Sequence, residues 1–149
     1  MSVLILDAAK SLMDRAIASA KQEFKRPVCV AVCDPQGFLI AFSRMEGAPV
    51  RSIQISQCKA YTAARMGVAT EAFLARIRKE AIEIGYFCDP LLTALPGGSV
   101  LTDQAGTVIG AIGVSGLTSA EDQQITDAIA EIAKSGAAWP SSRDTGLRP

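Results

Sequence analysis

Hydrophobic and polar positions follow two periods along this chain, one typical of helices and one typical of strands. In residues 6–25 the apolar side chains recur at steps of three and four, which predicts an amphipathic helix. Residues 28–34 are rich in valine and residues 38–44 are again apolar, with an Asp-Pro-Gln-Gly turn at 34–37 between them. The first third of the chain therefore predicts a helix followed by a β-hairpin.

The rest of the chain predicts a second group of elements. In order, these are helices over 49–66 and 71–84, a short strand over 91–93, a hairpin over 100–103 and 107–115, and a helix opened by a capping box at 118–121. We expect Thr70 to cap the second of these helices, Gly67 and Gly85 to end the first two, and Ala128 to be buried in the last. An antiparallel β-sheet flanked by helices is the economical arrangement, so we predict a single α+β domain.

Composition excludes several classes of protein. The chain has 149 residues, 49% of them hydrophobic, with 15 basic and 15 acidic side chains, so a packed core is expected and a basic nucleic-acid surface is not. Its start lacks the pattern of a signal peptide, and no apolar run is long enough to span a bilayer. We therefore expect a cytoplasmic protein with neither nucleic acid nor membrane as partner.

Histidine is absent, and this excludes several kinds of catalytic and metal site. A Ser-His-Asp triad, His-ligated zinc and a proximal-His haem are excluded, so a general base would be a carboxylate, Lys, Cys or Tyr. Cys29, Cys33, Cys58 and Cys88 are scattered without a Cys-x-x-Cys pair. We predict free thiols, mostly buried, and no metal site.

Two cations are candidates for chemistry. Lys59 shares a predicted helix face with Ser52 and Ser56, at the border of an apolar stripe. It could bind a carboxylate or act as a base or Schiff-base nucleophile; the alternative is a surface lysine with its head in water. Arg44 ends a predicted strand, where it could grip a carboxylate with two hydrogen bonds or form a rim salt bridge with Glu46 or a neighbouring subunit.

Glycines mark two further places. Gly97 and Gly98 precede a strand and could open backbone N–H groups to an anion, or form a simple turn. Gly110, Gly113 and Gly116 recur at every third position, which is not the dinucleotide fingerprint but is typical of close approach by a backbone or a ligand. Ser115 lies among them, and without histidine its default role is a hydrogen bond in a turn.

Five segments of the chain, taken in order, carry a family resemblance. They are VAVCDPQG at 30–37, AFSRM at 41–45, ISQCKAYTAA at 55–64, LPGG at 95–98 and IGAIGVSGLT at 109–118. Together they resemble the GlcG/HbpS-type (haem-degrading domain) family, which is related to the C-terminal domain of PduO-type corrinoid adenosyltransferases. The likeness runs from about residue 8 to residue 134. It divides the chain into a GlcG/HbpS-like domain over 1–134 and a Gly/Ser/Pro-rich tail over 135–149, which we expect Trp139 to anchor.

The resemblance implies a profilin-like α+β domain that assembles into homo-oligomers. One branch of the family binds and degrades haem, so haem is the cofactor that the resemblance implies. Because this chain has no histidine, axial ligands would have to be Cys, Met, Tyr or a hydroxyl. Because the resemblance includes no adenosyltransferase domain, we expect these residues to supply no adenosyltransferase activity themselves.

The resemblance also indicates a candidate site. The residues at the family's motif positions are Arg44, Lys59, Thr62, Gly97, Gly98 and Ser115. Our hypothesis is that they line one pocket in which Arg44 and Lys59 hold a carboxylate. The predicted function is a homo-oligomeric small-molecule-binding protein for a small organic acid or haem.

Two alternatives remain at this point. One is an enzyme of organic-acid or aromatic ring-cleavage catabolism, a tautomerase, deaminase or hydratase with Lys59 or a carboxylate as base. The other is a structural partner in an enzyme assembly.

Overall fold

Residues 4–136 are described by a computed structural model, and the predicted helices and strands are present there with few exceptions. The elements are α1 (Leu6–Ser19, continued by π-helical Ala20–Phe24), β1 (Cys29–Cys33), β2 (Leu39–Arg44), α2 (Arg51–Met66), α3 (Thr70–Glu80), a 3-10 turn (Ile84–Phe87), β3 (Gly98–Thr102), β4 (Val108–Ser115) and α4 (Ser119–Ser135). Trp139 lies outside the described residues, so its anchoring role and the division at residue 134 stay predictions.

Within residues 4–136 the strands form one antiparallel sheet in the order β2-β1-β4-β3. The single α+β domain is thereby confirmed. The two sheet faces differ in side-chain size. Helices α1 and α4 cover the face that carries Val30, Val32, Ile112 and Val114, whereas α2 covers a face of small residues such as Ala31 and Ala111.

Helix α2 rests directly on the sheet because glycine occupies the contact. Gly98 and Gly113 are paired across β3 and β4. A Cβ on Gly113 would lie 2.1 Å from the Ser56 carbonyl oxygen, and one on Gly98 would lie 2.5 Å from the Lys59 carbonyl oxygen. Of the two alternatives for Gly113, close approach of another backbone is therefore the one that the fold uses, and Gly98 provides a second contact of the same kind.

The predicted helix ends are confirmed in part. Gly67 ends α2 in the left-handed conformation, and the capping box of α4 has both of its hydrogen bonds. Helix α3, however, ends at Glu80 instead of near Gly85, because Ala81 turns left-handed (φ 53°) and the Ile82 N–H bonds back to the Ile77 carbonyl.

Three local predictions are wrong. Thr70 is not the cap of α3: Ala69 holds that position, and the Thr70 hydroxyl accepts a hydrogen bond from Gly98 N instead. Residues 91–93 form no strand; they follow a turn in which the Asp89 carboxylate accepts from Leu91 N. Ala128 is exposed, because α4 turns Gln123 and Thr126 inward as well as its isoleucines.

Candidate functional site

Lys59 is enclosed between α2, β4 and α4. Its Nζ donates to the Asp122 carboxylate at 3.0 Å and to the Val114 carbonyl at 2.9 Å, and both charged side chains are only 2% exposed. Gly97 makes room for this ammonium, since a Cβ there would lie 2.6 Å from Nζ. Lys59 is thus neither a surface lysine nor open to a ligand along these contacts.

Burial dominates the electrostatics of this pair. It lowers the pKa of Lys59 and raises the pKa of Asp122, while the attraction between the two groups opposes each shift. The second oxygen of Asp122 accepts from Leu117 N. Removal of one partner from such a pair leaves a buried charge alone, so we expect a single substitution of either residue to be destabilising.

The two glycines before β3 already use their N–H groups inside the protein. Gly97 N donates to Gln123 Oε1 at 2.6 Å, and Gly98 N donates to Thr70 Oγ1 at 2.9 Å. The Gln123 amide nitrogen in turn donates to the Gly98 carbonyl and to Ser99. Among the described residues, no buried side-chain nitrogen or oxygen lacks a partner. This arrangement is typical of a packed turn.

The other predicted site residues lie around this cluster in different surroundings. Thr62 Oγ1 donates to the Cys58 carbonyl and accepts from Thr93 N, and Ser115 Oγ donates to Ser52 Oγ. Arg44 is exposed at the end of the edge strand β2. The structure therefore groups Lys59 with the Gly97 turn and with β4, whereas Arg44 stands in solvent.

An open space lies on another side of α2, between this helix, the β1–β2 hairpin and the loop before β3. It consists of two adjoining hollows of about 450 and 620 Å³, which we call the α2 groove. Both hollows contact Ile53, Gln54 and Cys58. The first is also lined by Cys33, Gly37, Leu39, Gln57, Tyr61 and Leu91, and the second by Val50, Arg51, Ile55, Leu92 and Thr93.

Tyr61 joins three parts of the groove wall. Its hydroxyl donates to Asp89 at 2.6 Å, on the loop before β3. Its ring fills the space over Gly37, where a Cβ would lie 2.7 Å from a ring carbon. The Arg65 guanidinium lies 4.9 Å from the ring centroid and donates to the Gln36 carbonyl. Hairpin, helix and loop therefore meet at one side chain.

The sulfur and phenol groups of the groove are protonated at neutral pH. Burial, with a contribution from Asp34, raises the pKa of Cys33 to about 12. Burial also raises the pKa of Cys58, and the hydrogen bond to Asp89 raises the pKa of Tyr61. In the part of the chain that the structure describes, all four cysteines are free, and no group of three or more Cys, Asp or Glu residues is placed to hold a metal ion.

This groove was not predicted from the sequence, because the candidate site was built around the charged residues Arg44 and Lys59. A signal was nevertheless present: Ile53, Gln57 and Tyr61 recur at steps of four, on a second stripe of the helix that carries Lys59. Phe38 and Leu39, at the start of the hairpin's return strand, are 65% and 52% exposed. Apolar side chains that a hairpin leaves in solvent indicate an interaction surface.

Comparison with known proteins now identifies the family. The family described as haem degrading protein HbpS-like matches residues 4–131. The chain belongs to this family. Protein GlcG of Escherichia coli strain K12 is 36% identical over 114 residues, which cover 72% of this chain and 80% of GlcG. An uncharacterized 15.0 kDa protein from the dhaT-dhaS intergenic region of Citrobacter freundii is 31% identical over 128 residues, with 85% and 89% covered.

Solved structures of the HbpS-like family share the fold. A double mutant of HbpS from Streptomyces reticuli superposes with a TM-score of 0.78 at 28% identity, covering 89% of this chain and 88% of that one. A PduOC:heme complex superposes with a TM-score of 0.77 at 25% identity, covering 87% and 94%. The predicted resemblance is confirmed. None of the helices described between residues 4 and 136 has the length and hydropathy of a bilayer span.

Proposed function

We propose that this HbpS-like protein binds a tetrapyrrole of the haem type in the α2 groove. The observation that carries the proposal is the groove itself: two hollows of about 450 and 620 Å³ that share one wall. Ligand sites of small molecules commonly have volumes of about 300–1,000 Å³ and a mainly apolar lining with a few polar groups. Ile53, Leu39 and Leu91 supply apolar surface here, and the amides of Gln54 and Gln57 supply polar atoms.

The relatives support this ligand class. The family is described as haem-degrading, and one similar structure is a complex with heme. A porphyrin is a flat, largely apolar body with carboxylates at its edge, which suits a groove of this volume and apolar lining better than a small organic acid does. We therefore favour the tetrapyrrole over the small organic acid, the other ligand class that the sequence analysis predicted.

The groove does not fit axial ligation of iron by the protein. The sulfur and phenol donors that line it are poor axial ligands as they stand: burial raises the pKa of Cys33 to about 12 and also raises the pKa of Cys58, and the Tyr61 hydroxyl already donates to Asp89. We therefore propose that the ring is held by apolar contact and edge hydrogen bonds, and we derive no step through iron.

Several earlier predictions remain predictions. The carboxylate grip by Arg44 and Lys59 and the role of Lys59 as a catalytic base gain no support from an ammonium bonded to Asp122 and Val114. Homo-oligomer formation and a cytoplasmic location also stay as the sequence predicted them. Binding, without an assigned reaction, is the function that the groove supports.

The test compares haemin with metal-free protoporphyrin IX in absorbance and fluorescence titrations. We expect both to bind, with dissociation constants within about threefold, because no protein group ligates the iron. Ile53→Asp places a charge on the wall that both hollows share and should weaken both ligands at least about tenfold.

The matched control is Val68→Asp, which places the same charge on a 41% exposed residue outside the groove and should leave both affinities unchanged. The proposal is wrong if neither porphyrin binds, or if Ile53→Asp and Val68→Asp behave alike. Binding of haemin alone would show that iron ligation, and not the groove wall, holds the ring.

A further inference from the structure

We propose that Arg51 holds a carboxylate of the ligand at the N-terminal end of α2, so that the groove selects an acid over its neutral counterpart. The inference rests on the proposed function, because it assumes that a ligand lies in the α2 groove. It moves the acid-binding role from Arg44 and Lys59 to a cation that lines the open space.

Charge singles out Arg51 within the groove. Among the described residues that line the two hollows, it is the one with a charged side chain; the others are apolar or neutral polar. An apolar hollow beside a single guanidinium matches a ligand with an apolar body and an acidic edge. Because apolar surroundings exclude water from one side of such a contact, a bidentate guanidinium–carboxylate pair is stronger there than in open solvent.

The other candidate cations differ from Arg51 in their contacts. Lys59 is bonded to Asp122, and Arg65 donates to the Gln36 carbonyl under the Tyr61 ring. Arg26 pairs with Glu121, and Arg76 pairs with Glu80. Arg51 forms no salt bridge to any residue between 4 and 136, and it is exposed, so its guanidinium is available to a ligand.

The electrostatic field at the start of α2 adds to the positive charge of Arg51. Within the described residues, α2 begins without an acidic residue in its first turn and without a side-chain cap at Val50. No acidic side chain of that turn therefore offsets the positive end of the helix dipole. The dipole does not make the site; it strengthens the attraction of an anion that Arg51 already holds. The apolar Val50 side chain, 70% exposed, lies next to that position and offers contact to the ligand's body.

The experiment measures the binding of protoporphyrin IX and of its dimethyl ester, both added from the same dilute detergent solution. The wild-type protein should bind the acid at least about tenfold more tightly than the ester. Arg51→Gln should weaken the acid about tenfold and leave the ester unchanged. Arg51→Lys should give an intermediate loss, since an ammonium keeps the charge but not the fork of donors.

The matched control is Arg78→Gln, which removes an exposed arginine of α3 that does not line the groove and should change neither affinity. Arg44→Gln tests the rival residue that the sequence hypothesis placed in the site. Added salt should weaken acid binding by the wild type more than by Arg51→Gln.

Failures of the two proposals can be told apart. If the wild type binds neither acid nor ester, the proposed function is wrong. If it binds both equally, or if Arg51→Gln leaves the preference for the acid intact, the groove binds ligand and the role of Arg51 is wrong. Loss of the preference in Arg44→Gln alone would return the acid-binding role to the hypothesis drawn from the sequence.

Discussion

The buried side of α2 and its open side treat polar groups in opposite ways. On the buried side, Lys59 meets Asp122 and the Val114 carbonyl, and each polar atom of the pair has a partner inside the protein. On the open side, Ile53 and Cys58 border two hollows whose lining is mainly apolar. The buried side is packed and its polar atoms are paired, whereas the open side exposes apolar surface that a ligand can cover.

The difference shows where function is to be sought on this helix. A lysine among hydroxyls is conspicuous in a sequence, yet the charge of Lys59 is paired with Asp122, and this ion pair joins α2 to α4. The open side contributes fewer charges and more apolar area that water still contacts. Since burial of apolar surface provides most of the free energy of ligand association, the less conspicuous side is the better binding surface.

The largest expected effect comes from breaking the buried pair. Lys59→Met should lower the free energy of unfolding by about 3–5 kcal/mol, because the Asp122 carboxylate is left buried without its cation. Urea denaturation followed by circular dichroism measures this loss. Porphyrin affinity of the folded protein should not change, since Lys59 does not line the groove.

The double variant Lys59→Met/Asp122→Leu is the control for the pair. It should recover much of the lost stability, because no buried charge remains, although Leu117 N loses its acceptor. If Lys59→Met instead kept its stability and lost porphyrin affinity, the contrast between the two sides of α2 would be wrong. The carboxylate grip predicted from the sequence would then be right.

A second substitution tests how closely α2 rests on the sheet. Gly113→Ala places a Cβ against the Ser56 carbonyl oxygen and the Ala60 nitrogen, at 2.1 and 2.6 Å. Both atoms are backbone and cannot rotate away, so we expect a loss of about 1–3 kcal/mol in unfolding free energy. Gly85→Ala is the control, because a Cβ there has open space, and it should change stability by no more than about 0.5 kcal/mol. Equal changes in unfolding free energy for Gly113→Ala and Gly85→Ala would show that α2 can shift away from the sheet without loss of stability.

The fold was largely predictable from the sequence, and particular residues show why. Periodicity located both hairpins and the long helices, and local chemistry fixed ends such as Gly67 and the capping box at Thr118. The end of α3 could not be predicted, because Ala81 adopts a left-handed conformation that its side chain does not favour. Thr70 was misjudged because a distant strand end, at Gly98, takes the hydroxyl that would have capped the helix.

The candidate site was less predictable. The positions of Lys59 and Gly97 in one cluster agree with their grouping by motif. The partner of Lys59, Asp122, lies 63 residues further along the chain, in the first turn of α4, where an acidic residue is ordinary. Whether a cation is paired or free depends on such distant contacts, which no local pattern contains. The groove depends in the same way on where Tyr61 meets Asp89 across 28 residues of chain.

Thiol labelling tests whether the ligand lies against the open side of α2. At pH 8, Cys88 is exposed and should react first with iodoacetamide, whereas Cys33, with a pKa of about 12, has only about one thiol in ten thousand ionised. Cys58, half-buried on the shared wall of the groove, should react at an intermediate rate. Bound protoporphyrin should slow Cys58 in proportion to occupancy and leave Cys88 unchanged, as peptide mass spectrometry can measure. Equal protection of both would place the ligand elsewhere.

The smallest effect concerns the hydrogen bond from Tyr61 to Asp89 in the groove wall. The bond from Tyr61 lowers the pKa of Asp89, so its contribution to stability is present above the ordinary value of 3.8 and is lost as the pH falls toward the lowered pKa. The same bond raises the pKa of Tyr61, so its contribution is full below 10.0 and is lost as the pH rises through the raised pKa.

Tyr61→Phe should therefore lower Tm by a few degrees at most between about pH 5 and 9, and the difference from wild type should shrink toward both extremes. Thermal denaturation across this range, with Asp89→Asn as a second variant that leaves the phenol in place, measures the profile. No difference from wild type at any pH would mean that Tyr61 acts by packing over Gly37 alone, because phenylalanine keeps the ring. The expected change in Tm is small because solvent reaches the bond between Tyr61 and Asp89 and competes with it. Solvent does not reach the buried pair of Lys59 and Asp122 in this way.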